Sequence, residues 1–132
     1  MLGIKTAAEE IQQAILDVLQ KDYHLSEGKF CALIVLHQHG EQGVAPSVLA
    51  DKVGVTRATI SNMVQRMERD GLIVVRPAEK DGRGKMVVMT QKGCDFMEKV
   101  LPPHYLRVTK LMEKLTEEEQ QELIRLLHKM ST

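Results

Sequence analysis

The segment from Pro46 to Leu72 leaves this chain few folds to choose from. After Pro46, which suits the first position of a helix, Val48, Leu49, Ala50 and Val53 recur at helical spacing until Gly54. Thr56 then offers an N-cap for a second helix, whose Ile60, Met63, Val64 and Met67 form one apolar stripe before Asp70-Gly71 ends it. Two helices joined only by Val53-Gly54-Val55 have the spacing of a helix-turn-helix. Directly behind them comes Leu72-Ile73-Val74-Val75-Arg76, rich in β-branched residues and followed by Pro77. Lys85-Met86-Val87-Val88-Met89-Thr90 is a second such run, and the polar, glycine-bearing stretch 78–84 between them predicts a β-hairpin with a long tip. A hairpin placed there is a wing.

The flanking segments are helical. Ile4, Ala7, Ala8, Ile11, Ala14, Ile15, Val18 and Leu19 predict an amphipathic helix over 4–20. Ser26 caps a second helix that stops at Gly40, and its long apolar run suggests burial on several sides. Thr90 or Gln91 opens a helix carrying Phe96, Met97, Val100 and Leu101, which Pro102-Pro103 is expected to break or kink. It resumes with Tyr105, Val108, Met112 and Leu115, and Thr116-Glu117-Glu118-Glu119 is a capping box for a last helix striped by Leu123, Leu126, Leu127 and Met130. The expected architecture is therefore mostly α with a small β-wing, in one domain over 1–132. Its winged helix-turn-helix core covers about 26–93, flanked by helices at about 4–20 and 103–130. Both flanking helices carry apolar stripes too extensive for a small core, and packing on a second copy, as a twofold homodimer, would bury them.

Charge narrows the function only when it is read locally. The 18 basic and 18 acidic side chains cancel. Between 57 and 85, however, Arg57, Arg66, Arg69, Arg76, Lys80, Arg83 and Lys85 face Glu68, Asp70, Glu79 and Asp81, whereas the first 50 residues are acidic. A solvated surface of mixed charge reads the same way on charge alone. Aromatic residues make up 3% of the chain, too few for stacking platforms that hold single strands. No apolar run approaches the ~20 residues of a membrane span, and the N-terminal stretch lacks a basic-then-apolar signal region, so a cytoplasmic address is the expectation. Enzyme chemistry finds no support: a glycine-rich phosphate cradle, a nucleophile elbow and a metal-binding helix motif are all missing from the sequence. His37 and His39 point to different helix faces, and no metal or other cofactor is implied. Cys31 reads as a small core residue, and Cys94 sits where a helix dipole could lower its pKa; the sequence leaves redox activity of either open.

Helical geometry turns Thr56, Arg57, Ala58, Ser61, Asn62 and Gln65 away from the apolar stripe of their helix. That set suits a major groove: Arg57 can pair bidentately with guanine, Asn62 with adenine, and Ala58 can touch a thymine methyl. The Thr56 and Ser61 hydroxyls suit phosphate or base contacts. Arg66 and Arg69 fit either backbone charge or intramolecular pairing with Glu68 or Asp70. At the hairpin tip, Arg83 can enter a narrow minor groove, with Lys80 and Lys85 neutralising phosphates. The expected partner is double-stranded DNA. A winged helix used as a protein-interaction module, without DNA binding, is the alternative.

Several ordered pieces of the chain resemble the MarR family of transcriptional regulators. They are Ser26-Glu27-Gly28-Lys29-Phe30, Ser47-Val48-Leu49-Ala50, Thr56-Arg57-Ala58-Thr59-Ile60-Ser61, Glu68-Arg69-Asp70-Gly71-Leu72-Ile73, Asp81-Gly82-Arg83, Met89-Thr90-Gln91-Lys92-Gly93 and Leu115-Thr116-Glu117-Glu118-Glu119. The resemblance implies a bacterial repressor, dimeric through its first and last helices, on a palindromic operator. It also implies release by a small-molecule or oxidant signal, with a small apolar or aromatic effector as a further partner. It marks Asp81 as bracing the wing by an ion pair and Arg83 as reaching the minor groove. Three departures stand out: Ala45 replaces the usual hydroxyl cap, the tip reads Gly82-Arg83-Gly84 rather than a bulkier basic run, and the first helix begins near Met1.

Overall fold

A computed structural model describes residues 2–78 and 84–131. Glu79 to Arg83, and with them the expected wing-tip residues Lys80, Asp81 and Arg83, lie outside the described residues. The elements in order are α1 (Leu2–Tyr23), α2 (Glu27–His39), a short 3-10 turn (Gly40–Gln42), α3 (Pro46–Val53), α4 (Arg57–Arg69), β1 (Ile73–Pro77), β2 (Lys85–Met89), α5 (Gln91–Met112) and α6 (Glu117–Ser131). The chain divides into two compact units, one up to Val100 and one from Leu101 onward.

In the first unit the helix starts follow the sequence cues. The Ser26 hydroxyl accepts from the Lys29 amide at 3.3 Å and the Thr56 hydroxyl from the Thr59 amide at 3.1 Å, each satisfying a donor that a helix start leaves over. Ala45, in the same position before α3, makes no such bond, and Pro46 lessens the need because it has no N–H. Helix α2 is enveloped as expected, with no exposed residue from Gly28 to His37. Phe30, Leu33 and Leu36 of α2 are buried, as are Leu49 of α3, Ile60 and Met67 of α4, Val87 of β2 and Met97 of α5. Met63, expected in the core stripe, is only half-buried: its Cε lies 2.9 Å from where a Cβ on Gly28 would sit, so it covers α2 at the rim.

The sheet is an antiparallel pair with Ile73 opposite Met89, Val75 opposite Val87 and Pro77 opposite Lys85. Val87 exchanges both main-chain bonds with Val44, at 2.9 and 2.8 Å, and so has none left for β1. The Val75–Val87 pair is therefore a non-hydrogen-bonded one, and the rungs alternate from there: Ala78 donates to Gly84 at 2.9 Å and Thr90 to Leu72 at 3.0 Å.

The turn from α4 into β1 is held from three sides. Gly71, at φ +80°, closes α4 with Gly71 N–H to Glu68 O and Leu72 N–H to Met67 O, both 3.0 Å. The Thr90 hydroxyl donates to Gly71 O at 2.6 Å and accepts from Gly93 N–H at 3.1 Å. Lys92 Nζ donates to Asp70 O at 2.8 Å, and Lys29 Nζ pairs with the Asp70 carboxylate at 3.2 Å. Here Gly93 lies so close that a Cβ would stand 2.2 Å from Leu72 O and 2.7 Å from Met89 Cγ.

The break expected at Pro102-Pro103 does not end a helix: α5 runs through both prolines. A proline withdraws the hydrogen bond to the carbonyl four residues back, here those of Glu98 and Lys99. Glu98, Lys99, Pro102 and Pro103 are all exposed, so water is at hand for the freed carbonyls, while Met97, Val100 and Leu101 anchor the other side. In the second unit the capping box is complete, with Thr116 N–H to Glu119 Oε1 at 2.8 Å and Glu119 N–H to Thr116 Oγ1 at 3.1 Å. Helix α6 has no buried residue; Leu123, Ile124, Leu126, Leu127 and Met130 are exposed. Burial and then the Arg107 guanidinium hold the His104 imidazole below its ordinary pKa. No helix among the described residues is long and apolar enough to cross a membrane.

Gly93→Ala is expected to lower the unfolding free energy by about 1–3 kcal/mol, because the new methyl meets a backbone carbonyl that cannot rotate aside. Urea denaturation measures this, and an unchanged midpoint would contradict the close approach.

Candidate nucleic-acid interface

Helix α4 sorts its residues by a plain rule: positions four apart share a stripe. Ile60, Val64 and Met67 are buried. Arg57, Ala58, Ser61, Asn62, Gln65 and Arg66 are all exposed. They form two adjacent stripes. Arg57, Ser61 and Gln65, continued by Glu68, border a groove of about 550 Å³ whose other walls are Pro46 and Ser47 of α3, Val75 of β1 and Lys85 of β2, over a floor of Ile60 and Val64. Ala58, Asn62 and Arg66 make the neighbouring stripe, outside that groove.

The structure thus brings Arg57, Ser61, Gln65 and Lys85 to one groove and places Ala58, Asn62 and Arg66 beside it. Thr56 is committed locally: besides accepting from the Thr59 amide, its hydroxyl donates to Thr59 Oγ1 at 2.9 Å. Intramolecular pairing of Arg66 and Arg69 with Glu68 or Asp70 is not what forms. Asp70 pairs with Lys29, and Glu68 Oε2 accepts from the Val75 amide at 3.3 Å. Lys29 reaches Asp70 because both α2 and α4 present an end at this corner, a long-range proximity that local spacing does not reveal. Ser47 and Glu68 are the polar groove residues that the sequence reading did not assign to the interface. Ser47 could have been suspected from its place in the first turn of the first helix of the pair.

Cys31 is half-buried on α2, and burial, then the nearby Glu27 carboxylate, push its thiol above the ordinary cysteine pKa. Both effects lower the thiolate fraction at neutral pH.

Known proteins resemble this chain in sequence and in fold. The sequence pattern of the MarR family matches residues 25–84, from the end of α1 to the start of β2. The transcriptional repressor YetL of Bacillus subtilis is 28% identical over 135 residues, covering 95% of this chain and 81% of its own. A helix-turn-helix transcriptional regulator of Bacillus cereus is 30% identical over 104 residues, covering 79% of this chain and 67% of its own. The chain belongs to the MarR family. Its fold is that of the MarR winged-helix regulators: Sco3205 of Streptomyces coelicolor, solved in complex with DNA, superposes with a TM-score of 0.87 at 22% identity, over 98% of this chain and 84% of that one.

Alkylation of Cys31 by iodoacetamide at neutral pH, followed by peptide mapping, is expected to run slower than that of free cysteine. A rate equal to or above the free thiol's would mean that the side chain is not desolvated as placed.

Proposed function

We propose that this MarR-family chain is a sequence-specific, double-stranded DNA-binding transcriptional regulator, acting as a homodimeric repressor on a palindromic operator and released by a small-molecule signal. The observation that carries the reading is the exposed set Arg57, Ala58, Ser61, Asn62 and Gln65 on a helix held beside the base of a wing. Arginine and asparagine there match the bidentate edges of guanine and adenine, and they stand near the N-terminal end, where a groove-entering helix contacts base edges. Helix α4 exposes no large apolar side chain, so docking a protein through this helix would bury little. Lys85 and Lys80 extend the contact along the phosphate backbone by their charge, and by family resemblance Arg83 enters the minor groove with Asp81 bracing the wing. Arg66 adds phosphate charge from the second stripe.

The dimer reading is supported by apolar side chains left in water. On α1, Ile4 and Ile11 are 55% and 47% exposed, and α6 exposes five large apolar residues. Such stripes are unfavourable in a monomer and are covered most simply by the same helices of a second copy. In a twofold dimer the two recognition helices would address half-sites about 34–36 Å apart.

Gel-shift titration against a library of upstream genomic fragments is the test, run at several salt concentrations. If the dimer neutralises about 6–10 phosphates, affinity should fall roughly 10³–10⁵-fold between 50 and 200 mM salt. The absence of any shift at low salt would sink the reading. Asn62→Ala is expected to relax preference at one position per half-site, at about 1–3 kcal/mol, whereas Arg83→Ala should weaken binding to all sequences alike. Sedimentation at micromolar concentration checks the dimer, and a monomer would refute it.

A further inference from the structure

We infer that Glu68 is a positioning residue for DNA recognition: its carboxylate ties the wing strand to the recognition helix and sets the angle between the two. The inference rests on the DNA-binding reading above but names a residue and a role that reading does not contain.

Because Val87 gives its main-chain bonds to Val44, the odd-numbered residues of β1 turn their N–H groups away from β2. Those residues are Ile73, Val75 and Pro77. Pro77 has no N–H, and Ile73 is 1% exposed beneath the helix end. Beyond Ile73, the described length of β1 therefore offers the recognition helix one outward amide, that of Val75. Glu68, in the last turn of α4, takes it with Oε2 at 3.3 Å. A charged acceptor on a backbone amide is stronger than a neutral one.

A second observation shows that the carboxylate has a cost in a DNA-binding protein. Glu68 borders the same groove as Arg57, Gln65 and Lys85, on the face a duplex would approach. A negative charge there repels phosphates and weakens sequence-independent binding. A glutamate at this position is explained by the strand it holds, since charge alone would favour a neutral or basic residue.

The experiment uses the full chain and two variants, Glu68→Ala and Glu68→Gln. Glu68 is exposed, so neither variant disturbs the core. Glutamine keeps a side-chain oxygen that can accept from Val75 and removes the charge. Hydrogen exchange at the Val75 amide, read by NMR, reports the tie without DNA. Exchange is expected to quicken most in Glu68→Ala and less in Glu68→Gln, whose neutral oxygen accepts a weaker bond. Affinity is then measured for a duplex selected by the wild-type protein from a random library, and for a mixed-sequence duplex of equal length. Compared with Glu68→Gln, which loses the same charge, Glu68→Ala should bind the selected duplex about five- to tenfold more weakly, the equivalent of one hydrogen bond. Glu68→Gln should keep the wild-type affinity for that duplex and gain on the mixed one. Unchanged exchange in Glu68→Ala overturns the proposal, and so does faster exchange with no loss of affinity for the selected duplex relative to Glu68→Gln. A Glu68→Gln variant as impaired as Glu68→Ala would assign the effect to charge and overturn it as well. If the wild-type protein selects no duplex, the DNA-binding reading fails, and the exchange data still decide whether the tie exists.

Discussion

The turn at Asp70-Gly71-Leu72 is the point on which the candidate interface depends. Helix α4 ends just before it at Arg69 and strand β1 begins just after it at Ile73, so the direction of the wing follows from the geometry of one left-handed glycine. The turn is fastened by Thr90 and Lys92, which together bond its carbonyls, and by the bare Cα of Gly93 seated against Leu72. The Lys29–Asp70 pair, with side chains 23% and 52% exposed, is worth at most about 1 kcal/mol by itself. The close packing of backbone on backbone is the larger effect, because it cannot relax by rotating a side chain. A start of α5 that docks directly on the end of α4 makes helix, turn and hairpin base one unit.

That unit explains how a chain with no net charge presents a face suited to DNA. Asp70 and Glu68, the acidic residues at the end of α4, are each oriented by a structural bond. Asp70 is held by Lys29, and Glu68 is turned to the Val75 amide. What remains outward on α4 is a mixture of guanidinium, amide, hydroxyl and methyl groups, chemically able to discriminate base edges as well as to hold a backbone.

Much of this was readable before any fold was known. The Ser26, Thr56 and Thr116 caps, the inward stripe of α4 and the paired β-branched runs are local signals, decided within four or five residues of chain. The inward and outward sorting of α4 carried over to the groove almost residue for residue, with Met63 alone half out of the core. Where the sequence left a choice open, the deciding partner lies outside the helix itself. Glu68 and Asp70 sit beside Arg66 and Arg69 in sequence, yet their partners are Val75 and Lys29, the latter 41 residues from Asp70. Pro102-Pro103 carries a local signal for a break or a kink, yet the helix runs through both prolines, which stand exposed together with Glu98 and Lys99.

The sequence by itself determined the order of elements, the family and the chemical character of the recognition helix, because caps, periodicity and side-chain type act over single turns. The tertiary structure decided which of those side chains share a groove. It also decided which partners the acidic residues at the end of α4 take, and how the wing strand is tied to the helix. Those outcomes depend on the antiparallel register of β1 and β2 and on the commitment of Val87 to Val44, which turns the Val75 amide outward to Glu68. Hydrogen bonds between strand edge and helix exist only once distant segments have packed, and no local pattern encodes them.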